Sequence, residues 1–143
     1  MVKQHIWTFF YGSFINLDVL METNYSPAKY KVARLSGYAI TIQPLANLVP
    51  STQSFVYGIV AIASHEELAR LYTHAEHVLG GVYLPEPVLV ETMDKTWIAA
   101  LCYIAPDLEP KPATNNYIDK IIGPAKHYNF PDWYLQRLNS FRP

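Results

Sequence analysis

Apolar and polar positions along the chain fall into blocks of two kinds. Some are short, β-branched and aromatic; others carry apolar residues at helical spacing. His5 to Phe10 (HIWTFF) predicts a buried strand that runs directly into Tyr11-Gly12-Ser13-Phe14. Asn16 predicts the N-cap of a short helix from Leu17 to about Thr23. Tyr30 to Gln43 contains YAITIQ, a second strand closed by Pro44, and residues 47–54 (NLVPSTQS) read as a loop. Ser54 to Ala63 (SFVYGIVAIA) is a further apolar strand. Ser64 followed by Glu67 has the form of a capping box. The helix that opens there places Leu68, Leu71, Tyr72 and Ala75 on one face, and Gly80-Gly81 stops it. Glu86 to Met93 and Thr96 to Ile104 predict a hairpin around Asp94-Lys95. After a proline-rich loop from Pro106 to Pro112, Thr114 caps a helix from Asn115 that is expected to bend or break at Gly123-Pro124. Asp132 to Phe141 is a last short helix. Five or six strands with helices between them give an α+β class, a mixed sheet or small barrel with flanking helices, in a single domain over residues 1–143.

Composition narrows the function classes. Half of the 143 residues are hydrophobic and 16% are charged, which excludes disorder and predicts a packed core. With 11 Lys+Arg against 12 Asp+Glu there is no basic field, so nucleic acid is not the expected partner. No stretch approaches the ~18 apolar residues of a membrane span. The apolar patch near the start is broken by Thr8 and is too short for a signal sequence. Cys102 is the one cysteine, which excludes an intramolecular disulfide and a cysteine zinc site. The expectation is a cytoplasmic protein with a small-molecule substrate, no membrane partner and no cofactor; a homodimer is compatible with the sequence but nothing in it specifies one. Eleven tyrosines, each with an apolar body and a polar tip, suit a lined polar pocket.

Two places carry candidate chemistry. Gly12 lets the chain turn sharply or approach a ligand where a strand meets a helix. The amides that follow lie near the positive end of a helix dipole and suit a carboxylate or an oxyanion. The plain alternative is a turn whose amides meet water. Glu76 is spaced i+8 and i+4 from Leu68 and Tyr72, which predicts an inward carboxyl near a helix C-terminus. Desolvation and the negative helix end would both raise its pKa, as a general base or acid near neutral pH requires. The alternative is an exposed Glu on a helix fraying at Val78. His74 and His77 are one turn apart, but without an HExxH sequence or further ligands no metal site is expected. Cys102 reads as an inert core residue, and Ser13 lacks the GxSxG context of a nucleophile elbow.

Taken in order, several of these residues resemble the γ-glutamyl cyclotransferase-like family. Tyr11-Gly12-Ser13 after an apolar strand resembles its YGS signature, and Val56-Tyr57-Gly58 the strand before its catalytic helix. Glu76 with Gly81 and Tyr83 is similar to its helix-ending Glu with a downstream Gly and Tyr. Tyr117-Ile118, Gly123, Ala125, His127, Pro131, Tyr134 and Leu138 resemble its C-terminal run. The resemblance spans Tyr11 to Leu138.

The family implies a small mixed barrel around one polar cavity, and release of 5-oxoproline from a γ-glutamyl compound by attack of its own α-amine. It implies Glu76 as the catalytic base and acid. Backbone groups of Gly12, Ser13 and Phe14 would hold the γ-glutamyl group, with Tyr11 helping to shape the loop and the hydroxyls of Tyr83 and Tyr117 lining the cavity. Glutathione, γ-glutamyl amino acids, γ-glutamyl amines and γ-glutamyl-tagged natural products are all consistent substrates. Phe14 stands where the family usually has Asn or a small residue, and HAEHVLGGVY lacks the usual Asp and the Gly directly after Glu. A non-catalytic module on the same fold, binding a small ligand or a partner, is the alternative function.

Overall fold

The opening aromatic block forms β1 (Ile6–Phe10) in a computed structural model that describes residues 5–143. Residues 1–4, where the stretch read for a leader begins, lie outside the described residues. With β2 (Tyr30–Ile42), β3 (Ala46–Ala63), β4 (Leu84–Thr92) and β5 (Trp97–Ile104) it closes a barrel in the order β1-β3-β2-β4-β5. Neighbours run antiparallel except β1 and β5, which are parallel and pair Thr8 with Leu101 and Phe9 with Cys102. Closure leaves no free strand edge. Four α-helices among the described residues flank the barrel: α1 (Leu17–Met21), α2 (His65–His74), α3 (Asn115–His127) and α4 (Asp132–Asn139). The α+β barrel expected from the sequence is the architecture found. Phe9, Val60 and Cys102 are fully buried, as are Leu20, Leu71 and Ile118 on the helices, in one continuous core.

Two local expectations are overturned. Residues 47–54 are not a loop but the first half of β3. Tyr38, Ala39, Ile40, Thr41 and Ile42 pair in turn with Pro50, Val49, Leu48, Asn47 and Ala46. The ladder tolerates Pro50 because the register shifts between Ser36 and Tyr38, where Gly37 takes a left-handed φ of 89°. The cross-strand partner, absent from any local window, makes this segment a strand.

The second correction is α3, which runs unbroken through Gly123-Pro124. A proline inside a helix leaves the carbonyl four residues earlier without its donor. Here that carbonyl is Lys120 O, and it accepts a hydrogen bond from Asn16 Nδ2 at 3.0 Å. The other end of the same amide caps α1, Oδ1 accepting from the amides of Asp18 and Val19. One side chain thus repairs α3, starts α1 and ties the end of the 11–16 segment to α3.

Candidate active site

β1 delivers Tyr11-Gly12 to the barrel rim, and a single 3-10 turn (Ser13–Ile15) follows, closed by Ile15 N–H on Gly12 O at 3.1 Å. Gly12 is required by contact: a Cβ there would stand 2.7 Å from the Cβ of Ala46 at the start of β3. That approach brings the loop, Ala46 and the first turn of α3 together. The Ala46 amide donates to the Tyr117 hydroxyl at 2.9 Å, and the Tyr83 hydroxyl donates to the Ala46 carbonyl at 2.5 Å. Tyr11 anchors the loop from below by donating to the Tyr103 carbonyl at 2.7 Å.

These groups enclose a narrow cavity of about 40 Å³. Gly12, Ser13, Ala46, Tyr83 and Tyr117 contribute polar groups to its lining, which Phe10, Tyr11, Phe14, Tyr72, Ala75, Leu79 and Tyr103 complete. Tyr72 is stacked flat on Tyr103, ring centroids 3.7 Å apart, and meets Phe14 edge-on at 5.5 Å. Thus Tyr11, Gly12, Ser13, Phe14, Tyr83 and Tyr117, singled out in the sequence, line one cavity. Tyr72 and Tyr103 were not foreseen: helical spacing made Tyr72 a core residue, and nothing in TWIAALCYI distinguished Tyr103.

Glu76 differs from expectation. Half of its side-chain surface is exposed, its carboxyl stands 3.8 Å from His77 Nε2, and it is not among the lining residues. The helix also changes form here. α2 passes after His74 into a π-helical turn (Ala75–Leu79), ended by Gly80 in the left-handed conformation. Leu68, Leu71, Ala75 and Leu79 recur at ordinary helical spacing and form the inward face, and Glu76 falls beside that face, toward solvent. Glu76 is nonetheless flanked in the same turn by two residues of the cavity wall.

The five cavity tyrosines are neutral at ordinary pH. Burial pushes Tyr11 and Tyr72 well above the usual phenol range, with smaller contributions from neighbouring acidic groups. It raises Tyr83 too, helped by Tyr117, and it raises Tyr103. Burial also raises Tyr117, opposed by hydrogen bonds from Ala46 and Ser13. Cys102, beneath the site, is pushed up to about 12 by burial and by Glu86, which leaves it a thiol. Together with Tyr25, Tyr128 and Tyr134, eight of the eleven tyrosines are shifted upward. A folded pKa above the unfolded one, about 10 for tyrosine, gives stability that is present below that pH and lost as pH rises past it. Tyrosinate absorbance of the native protein should therefore lag that of the urea-unfolded chain, and melting temperature should fall only above about pH 10. Superimposable titration curves would refute the burial assigned to these phenols.

Among the described residues no group of His, Cys, Asp and Glu could hold a metal, and no helix is long and apolar enough to cross a membrane. No family model matches the chain. The γ-glutamylcyclotransferase of Bos taurus is 28% identical over 147 residues, covering 94% of this chain and 78% of that protein. A solved γ-glutamyl cyclotransferase superposes with a TM-score of 0.83 at 24% identity, over 98% of this chain and 89% of its own. A yeast γ-glutamyl cyclotransferase specific to glutathione superposes with a TM-score of 0.65 at 14% identity, over 96% of this chain and 97% of its own. The chain resembles γ-glutamyl cyclotransferases along nearly its whole length and shares the fold of these two structures.

Proposed function

We propose that the chain is an enzyme of the γ-glutamyl cyclotransferase type, releasing 5-oxoproline and an amine from a γ-glutamyl compound. The observation that carries this reading is the meeting of the Gly12–Phe14 loop, Tyr83 and Tyr117 in one cavity beside the turn that bears Glu76. The sequence likeness to the bovine enzyme supports it independently.

The chemistry suits a site without a nucleophile of its own. The α-amine and the γ-carbonyl belong to one molecule, so holding it bent supplies the proximity that a catalytic Ser or Cys would otherwise provide. The substrate arrives as an ammonium ion and must lose a proton before its nitrogen can attack. Glu76 is the base: its carboxylate, free to turn on an exposed π-helical turn, reaches in past Ala75 and Leu79 once substrate is seated. The new C–N bond closes a five-membered ring and charge collects on the former carbonyl oxygen. Donors of the Gly12–Phe14 loop, the amides that open its 3-10 turn among them, stabilise it. The bond to the leaving nitrogen then breaks. Two protons pass in all from the attacking nitrogen to the leaving amine, carried by Glu76, and no water is consumed. The neutral phenols of Tyr83 and Tyr117 fix the substrate by hydrogen bonds and transfer no proton.

A void of about 40 Å³ has room for only a few water molecules, so a γ-glutamyl group enters with movement of the wall. Gly12, Tyr72, Leu79, Tyr83, Tyr103 and Tyr117 are the partly exposed lining residues, and the movement falls among them. The free, buried thiol of Cys102 fits a cytoplasmic enzyme. The purified protein should form 5-oxoproline, in proportion to enzyme added, from at least one member of a panel of γ-glutamyl amino acids, amines and glutathione. Binding without release across the panel would instead support a non-catalytic module, a reading favoured by Phe14 in the loop and by the exposure of Glu76.

A further inference from the structure

We infer that Asn47, which does not line the cavity, is a positioning residue: its side-chain amide sets where Ala46 stands, and through Ala46 the hydroxyls of Tyr83 and Tyr117. The inference rests on the cyclotransferase reading. Asn47 Nδ2 donates to the Ala105 carbonyl at 2.8 Å, and Oδ1 accepts from the Ala105 amide at 2.9 Å. One planar side-chain amide thus exchanges both bonds with one backbone residue, as a hydrogen-bonded pair of antiparallel strands does. Two bonds to the same residue fix the plane of the amide and the place of the chain that carries it.

This strap lies where the barrel has no ladder to do the same. β1 pairs with β3 from Ala63 to Ile59, and with β5 at Leu101 and Cys102. The other end of β3, Ala46 to Pro50, pairs with Ile42 to Tyr38 of β2. Asn47 joins that end to Ala105, the residue that follows β5. Fixed points of the cavity stand on both sides of the strap. Ala46, next to Asn47, accepts from the Tyr83 hydroxyl and donates to that of Tyr117. Tyr103, close before Ala105, accepts from the Tyr11 hydroxyl and carries the ring stacked on Tyr72. Ala46 also decides what each phenol can offer. Its carbonyl takes the proton of Tyr83, which is left with lone pairs; its amide gives to the oxygen of Tyr117, which keeps a proton to donate. A displaced Ala46 would loosen both phenols at once.

The test measures kcat and KM of Asn47→Ala, well below its melting temperature, on a panel compound that the parent cyclises. KM is expected to rise about 10-fold, the scale of a hydrogen bond or two lost from the grip on substrate, with kcat within about threefold because Glu76 is untouched. Asn47→Asp keeps the shape and one of the two bonds; it is expected to fold and to show a rise in KM, and it carries the test if the alanine variant does not fold. Because Asn47 acts through Ala46, its effect overlaps that of Tyr83→Phe, and the double variant should raise KM by less than the product of the two single rises. A lowered melting temperature with unchanged KM, or single effects that simply multiply, would overturn the inference while 5-oxoproline release by the parent still upheld the cyclotransferase reading. A parent that releases none from any panel compound would remove both.

Discussion

Replacing Glu76 by Gln should lower the rate of 5-oxoproline release by about 10²–10⁴-fold, with fold and ligand binding retained. Gln keeps the length of the side chain and can still accept a hydrogen bond, but it cannot take the proton that blocks the attacking nitrogen. The candidates to replace it as base are few. No carboxylate lines the cavity, its phenols are shifted upward by burial, and Cys102 is held as a thiol. The loss should fall on kcat, with KM little changed, because the carboxylate is used in the reaction and not in holding the glutamyl head. Stability should not move: the side chain is half exposed and its recorded partner is His77 at 3.8 Å, a surface pair of small worth. A variant that cyclises substrate within a few-fold of the parent would place the base elsewhere. One that fails to fold would contradict the exposed position of this side chain.

The largest effect on stability is expected from Gly58→Ala. Gly58 lies in β3 next to Ile59, the partner of Phe10, and β1 passes so close that a Cβ would stand 2.0 Å from the Phe10 carbonyl oxygen. The Phe9 ring is within 3.0 Å of the same point. A side chain could rotate away, but the obstructing atom belongs to the backbone of a strand paired on both sides, with β3 and with β5. Relief requires the barrel to open locally, against an interior that is close-packed. Overpacking a core ordinarily costs 1–3 kcal/mol, and a backbone clash belongs at or beyond the top of that range, at about 3 kcal/mol or more. For a chain of this size that is a fall in Tm of roughly 10 °C. Urea unfolding would measure it. A variant within about 1 kcal/mol of the parent would show that β1 and β3 separate more easily than their pairing implies.

The sequence reveals most where the determining interactions are local. The capping box was legible because Ser64 and Glu67 satisfy each other's backbone within three residues, and the structure contains both bonds. Asn16 was legible as an N-cap for the same reason. The hairpin turn at Asp94-Lys95 was legible too, and Lys95 there adopts a left-handed φ of 68°. Tyr11 to Phe14 was legible as a candidate anion-binding turn because a strand, a glycine and a cap follow each other directly, and its role toward substrate came only with the family likeness. Tyr83 and Tyr117 entered only through likeness to a family, since no local pattern links two tyrosines 34 residues apart to one carbonyl and one amide of Ala46.

What the sequence by itself determined is thus the alternation of strands and helices and the caps that start them. Tertiary structure decided the rest. Pro124 does not break α3 because Asn16, 108 residues earlier, supplies the donor its carbonyl partner lacks. Residues 47–54 are strand because β2 offers them a ladder. Tyr72 lines the cavity because Tyr103 comes to lie flat beneath it. Glu76 faces solvent because Leu68, Leu71, Ala75 and Leu79 fill the inward face of the helix and leave the carboxylate beside it. In each case the deciding partner is distant in sequence or the choice is between burying carbon and burying charge, and the folded core favours carbon.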